Sequence, residues 1–170
     1  MAMRMVFYVF FYGFLGYALE RVINLVVRGF WFDNRVITLP VQPMYGLGVV
    51  LALAIYAFME RHAVRKRITL VILFPVAILT TAFSEWISGE GYHLLSGSVL
   101  WDYSHTFSFC QYPYVCLLPT ALFGILSALT VLFVHPFIES WSDRLPQWLI
   151  SGVVFLVGLD MAATYILMLT

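Results

Sequence analysis

Charge is scarce in this chain. Only 11% of its 170 residues are Asp, Glu, Lys or Arg, while 62% are hydrophobic. Soluble domains carry about a quarter charged residues. A soluble fold of this size keeps about a third of its chain surface wet, so it has nowhere to hide so much apolar area. Composition therefore excludes an ordinary soluble globule and a disordered chain. Nine basic and nine acidic residues cancel, which leaves no overall pull toward nucleic acid or acidic partners; no nucleic-acid role is expected. There is no Pro/Ser-rich linker and no low-complexity segment. Walker A, His-Glu-x-x-His, Cys-x-x-Cys and Gly-x-Ser-x-Gly are all missing, so the chain does not bind ATP by the Walker route and no cofactor is expected. His93, His105 and Glu90 lie around Asp102 but match no strong ligand spacing, so no metal is expected either. No lysine falls within an apolar run, which excludes a retinal-type Schiff base.

What is present is five apolar runs, at about residues 5–27, 41–59, 68–89, 115–137 and 146–168, with the third running on toward Leu95. Each is long enough, at about 20 residues, to cross a bilayer as a helix. The first is too long for a signal-peptide core and has no small-residue cleavage site behind it, so it reads as a span. The expected fold is all-α: a polytopic integral membrane bundle of five transmembrane helices, forming a single transmembrane domain over residues 1–170. Arg61, Arg65, Lys66 and Arg67 crowd one loop, on the same side as Arg4 and Arg144, while the opposite side has Arg28 and Arg35. The positive-inside rule then puts the N-terminus in the cytoplasm and the C-terminus outside. The localisation that follows is the cell membrane, multi-pass, in the manner of a bacterial inner membrane protein.

A charged side chain at the bilayer centre costs at least about 2.5 kcal/mol on insertion scales. Glu20, Arg21, Glu85 and Asp160 lie inside the proposed spans, the acids all in the outer half. Three carboxylates and one guanidinium leave negative charge in excess, to be protonated, to face water or to meet a cationic ligand. Glu20 and Arg21 point about 100° apart, so Arg21 is expected to reach an acid on another span or to snorkel to the headgroups. Helical spacing gathers Gly13, Gly16, Glu20 and Asn24 on one face. It does the same for Thr81, Glu85, Ser88 and Tyr92, and for Thr120, Gly124 and Ser127. Small residues let helices approach closely, so the Gly, Ser and Thr positions read as packing seams; Glu20 and Glu85 are poor choices for packing and read as functional, while Asp160 suits a structural role as well as a functional one.

The longest connection, about Glu90 to Tyr114, is rich in Tyr, Trp and Phe, Phe107 among them, and is expected to pack at the interface or fold back over the helices. Asp102 suits a local turn cap as well as a binding role. The only cysteines, Cys110 and Cys116, fall in this loop, on the side where a disulfide is permitted. Five intervening residues allow a small closed loop; two free thiols are favoured, since no residue pattern fixes the pair's geometry. Glu20, a loop and Pro43 are echoed by Glu85, a loop and Pro113, as parallel repeats would be.

In these motifs the chain resembles the type IV ABC-transporter permease family, also called CmpB-like. Phe14-Leu15-Gly16-Tyr17 with Glu20 is similar to that family's first-helix pattern. Asn34-Arg35 with Pro40 and Pro43-Met44-Tyr45-Gly46 is similar to its next segment, except that Gln42 stands where the family usually has Cys. Glu85 and Gly89, followed by Trp101-Asp102-Tyr103-Ser104, carry the most specific match, and Val115-Cys116-Leu117 is similar to the start of its next helix. The resemblance covers about residues 7–138. It implies transport, with a separate ATPase partner, and it allows Cys110 with Cys116 to replace the family's own cysteine pair.

The reading that results is a membrane transport component or permease-like protein. Its outward-facing acidic polar site would be built from Glu20, Arg21, Asn24, Tyr45, Glu85, Trp101, Asp102, Tyr103, Ser104 and Asp160, and would take a small solute or a lipid. Five spans are few for a pathway, so a homo-oligomer or partner subunit is expected, in contact with membrane lipid. The alternatives are a membrane enzyme acting on lipid or a lipid-linked substrate, with Glu85 and Asp102 as acid and base, and a non-catalytic accessory subunit.

Overall fold

The computed structural model describes residues 2–29, 35–106 and 109–168. Its long elements are helices α1 (Ala2–Arg28), α2 (Pro43–Arg61) and α3 (Lys66–Ser96), with a single turn α4 (Tyr103–Thr106) after them. Then come α5 (Leu117–Leu129), a π-helical segment Thr130–Val134, α6 (His135–Ser142) and α7 (Gln147–Met168). Among the described residues there is no strand. Five helical stretches are long and apolar enough to cross a membrane, α5 to α6 counting as one stretch, Leu117–Ser142. The five apolar runs are thus five helices, with ends shifted by a few residues.

Two of those shifts have a physical cause. α3 continues seven residues past Gly89, so the first part of the supposed loop is helical. It stops at Gly97, whose φ of 66° lets its N–H fold back to the His93 carbonyl at 2.9 Å; a left-handed residue at this point is a glycine's role. The fourth span runs on to Ser142 because the chain absorbs Pro136 without breaking. Pro has no N–H and clashes with the carbonyl four residues back. Just before it the helix widens, and the His135 N–H reaches the Thr130 carbonyl, five residues back. Such a π-bulge gives the ring room within a continuous helix.

The chain divides into two compact units, Met1–Gly46 with Leu145–Thr170, and Leu47–Arg144. In the first, α1 packs on α7. The segment after Arg35 tucks in with them: Ile37 and Val41 are buried with Phe10 and Val157. The Gln42 N–H donates to the Gly13 carbonyl at 3.2 Å. A Cβ at Gly13 would press on the Gln42 carbonyl, and one at Gly46 would overlap the Val9 backbone. The glycine seam is therefore a packing device, as expected. Asn34 and Phe107 lie outside the described residues.

In the second unit α3 packs on α5. Thr80, Thr81, Ser84 and Glu85 are buried along α3, and Thr120, Gly124 and Ser127 along α5. Gly124 lies against the Ile78 backbone, with no room for a Cβ. The Thr80 hydroxyl reaches the Gly48 carbonyl at 3.3 Å and the Ala77 carbonyl at 3.1 Å. Cys110 and Cys116 are joined as a disulfide, with Cα atoms 5.4 Å apart, which corrects the expectation of two free thiols. Folding of the loop, not spacing along the chain, brings the pair into the bonding range.

Candidate functional site

Among the described residues, Glu85 is the acid enclosed most completely. It is 2% exposed, on a helix long and apolar enough to span a membrane. Two hydroxyls hold it. The Tyr103 phenol donates to Oε1 at 3.0 Å, and the Thr120 hydroxyl donates to Oε2 at 2.5 Å. Thr120 Oγ1 also accepts the Cys116 N–H at 3.3 Å. A hydroxyl has one proton to give, so that acceptance leaves its proton aimed at Glu85. Among the described residues no basic side chain pairs with this carboxylate.

The loop brings Tyr103 to Glu85 through a set of interlocking contacts. The Tyr103 N–H donates to the Pro113 carbonyl at 2.7 Å. The Trp101 indole N–H donates to the Tyr114 carbonyl at 3.2 Å, and the two rings meet edge to face. Tyr114 is buried, and its ring lies where Gly89 has no Cβ. The Tyr112 phenol donates to Glu90 Oε1. The loop therefore folds back onto α3, one of the two outcomes its aromatic content allowed.

Asp102 turns to local work. Its Oδ1 accepts the Ser104 N–H at 2.7 Å and the Ser104 hydroxyl at 2.5 Å, which caps α4. These hydrogen bonds from Ser104 hold its carboxyl below the usual carboxylate range, with His105 adding to the effect. His105 Nε2 lies 3.6 Å from Oδ2. The Ser104 hydroxyl donates to the acid rather than to the imidazole, so the three residues are not arranged to activate a serine nucleophile. Among the described residues no three His, Cys, Asp or Glu gather closely enough to hold a metal.

The first unit has its own polar contacts. The Tyr45 phenol donates to Glu20 Oε2 at 2.8 Å. The Tyr45 side chain fits against Gly16, where a Cβ would overlap it. Asn24, one turn beyond Glu20, is buried. Arg21 is 2% exposed, and its guanidinium lies 4.7 Å from the centre of the Tyr17 ring, within cation–π range. That burial corrects the alternative in which Arg21 snorkels to the headgroups. Asp160 Oδ2 accepts the Leu39 N–H at 2.7 Å, its one polar partner among the described residues.

Of the site residues read from the sequence, then, Glu85 and Tyr103 touch each other, as do Glu20 with Tyr45 and Asp102 with Ser104. Trp101 braces the loop behind Tyr103, and Asp160 holds a loop backbone. Thr120 was read only as part of a seam; its hydroxyl on the small-residue face of the fourth span was the signal. In both units a tyrosine one or two residues after a proline, Tyr114 or Tyr45, rests on a helix glycine, Gly89 or Gly16.

The family model described as "Putative ABC-transporter type IV" matches residues 7–168. The chain belongs to this family. The match takes in α7, so the resemblance extends beyond residue 138, where the sequence motifs ended. No curated protein and no solved structure matches the chain. For a type IV ABC-transporter family member, the match and the five apolar helices together describe a multi-pass membrane protein.

Proposed function

We propose that this protein is the permease-like component of a transport system, with a solute site centred on Glu85. The observation that carries the reading is a buried carboxylate, on a helix able to span a membrane, that among the described residues meets two hydroxyls and no cation. Ionisable groups at membrane depth are expensive and mark solute or ion paths. An acid satisfied only by neutral donors is a place where a proton, a metal cation or the ammonium group of a solute completes the charge. The Trp101–Ser104 segment covers this acid through Tyr103, and by the positive-inside rule that cover lies on the outer side.

The family supports a transport role, and the missing Walker A motif assigns ATP hydrolysis to a separate ATPase subunit. With five spans, a second copy or a partner completes the pathway. The test is flux in liposomes. Wild type and Glu85→Gln are reconstituted with the co-purified ATPase and loaded with sodium, choline or ethanolamine as probes. Flux of at least one probe is expected in wild type and lost in the variant; undiminished flux in the variant removes Glu85 from the pathway.

A further inference from the structure

Four of the nine Lys and Arg residues fall between positions 61 and 67, where α2 turns into α3. The turn is tight. The Ala63 N–H returns to the Glu60 carbonyl at 3.0 Å and the Val64 N–H to the Met59 carbonyl at 3.1 Å, with Ala63 itself left-handed at φ 52°. Arg61, Arg65, Lys66 and Arg67 are all exposed. None pairs with an acid among the described residues, and the adjacent Glu60 is engaged by the Tyr56 phenol at 2.8 Å. Against the single Glu60 carboxylate, the four cations leave this turn with an excess of three positive charges.

Three of these cations also sit where a helix does not favour them. Arg65 occupies the N-cap of α3 with no side-chain cap, and Lys66 and Arg67 fill the first turn. Cations stabilise helix C-termini and oppose the positive N-terminal end of the macrodipole. The first backbone N–H groups there have no partner within the helix. An anion placed at this point offsets both costs.

Depth and surroundings identify the anion. Arg61 ends one membrane-capable helix and Lys66 begins the next. A 19-residue α2 is about as long as the hydrocarbon core is thick, so Arg61 lies at headgroup height. One turn toward the apolar side, helical spacing sets Phe58 below Arg61 and Val71 below Arg67. Phe58 is 60% exposed and Val71 is 74% exposed. A cationic rim over open apolar surface matches a molecule with a phosphate at one end and an acyl chain at the other.

We propose that the α2–α3 turn binds anionic phospholipid, with the phosphate held among Arg61, Arg65, Lys66 and Arg67 and an acyl chain lying along Phe58 or Val71. An acidic protein surface would meet the charges but would leave the exposed apolar residues beneath them uncovered. This site is separate from the Glu85 reading and stands or falls without it.

Thermal unfolding of the full chain in neutral detergent tests the proposal, because a micelle removes any influence of membrane orientation. Phosphatidylglycerol, phosphatidylcholine, inorganic phosphate or polyglutamate is titrated in. Phosphatidylglycerol is expected to raise the melting temperature, the other three not, and the effect is expected to fade as sodium chloride rises. In R61Q/R65Q/K66Q/R67Q the phosphatidylglycerol affinity is expected to fall by about tenfold or more, while R61K/R65K/R67K keeps it. If the glutamine variant does not fold, the salt titration of wild type and the single variant R65Q decide the matter. An equal phosphatidylglycerol effect in wild type and variant overturns the proposal. So does the absence of any effect, or one that salt leaves unchanged. Matching stabilisation by inorganic phosphate would make the turn a free-anion site, and by polyglutamate a protein dock; either result also overturns it.

Discussion

Asp160 Oδ2 accepts the backbone N–H of Leu39 at 2.7 Å, across 121 residues of sequence. The bond ties α7 to the segment that leads from α1 into α2. The bond is partly buried; a backbone N–H screened from water needs an acceptor, and a carboxylate is a strong one.

Asp160→Leu leaves that N–H unpaired and is expected to cost about 1–3 kcal/mol. Asp160→Asn keeps an acceptor oxygen and should lose less. Chemical or thermal unfolding of the two variants in detergent gives the comparison; equal losses would mean that charge, not the hydrogen bond, is what the site needs.

Thr120→Val keeps the shape of the side chain and removes the hydroxyl that faces Glu85 Oε2. The acid then retains only its Tyr103 donor. A loss of about 1–3 kcal/mol is expected, since a buried acceptor loses its partner. Thr120→Ser restores the hydroxyl and should recover most of the loss, which the same unfolding measurement reads.

The turn at Asp102 carries a pH dependence whose sign follows from its hydrogen bonds. Ser104 lowers the Asp102 carboxyl below its ordinary value. A group depressed in the folded state adds stability above its unfolded pKa, about 3.9, and loses it as pH falls through the lower folded value. The Trp101–Ser104 segment should therefore be unaffected by pH above about 4 and loosen only below it. Tryptophan fluorescence of the chain and of Asp102→Asn, each with the other four tryptophans changed to phenylalanine so that Trp101 alone emits, reads this; the transition is expected to vanish in the Asp102→Asn variant.

The spans were legible because the bilayer imposes a length and a composition on every helix that crosses it, and both can be counted along a chain. The seams were legible for a related reason: 3.6 residues per turn converts spacing into a face. Thr81, Glu85, Gly124 and Ser127 are buried where that arithmetic placed them. The motif around Trp101–Ser104 also pointed to the right family. What spacing could not supply was the third coordinate. Tyr103 is 18 residues from Glu85 and Thr120 is 35, and no periodicity relates a loop residue to a helix face. The π-helical turn escaped for a different reason, since Pro136 reads equally well as the end of a helix or as a defect within one.

The sequence by itself determined five helices long and apolar enough to cross a membrane, and which face of the first, third and fourth carries small and polar residues. The physical reason is that hydrocarbon forces every backbone hydrogen bond inward, so the spans need no knowledge of one another to be helical. The tertiary structure alone decided which polar groups meet: Glu85 with Tyr103 and Thr120, Asp160 with Leu39, Cys110 with Cys116. Those partnerships depend on how loops close and helices pack, and contacts across long stretches of chain are set by the folded whole rather than by any local pattern.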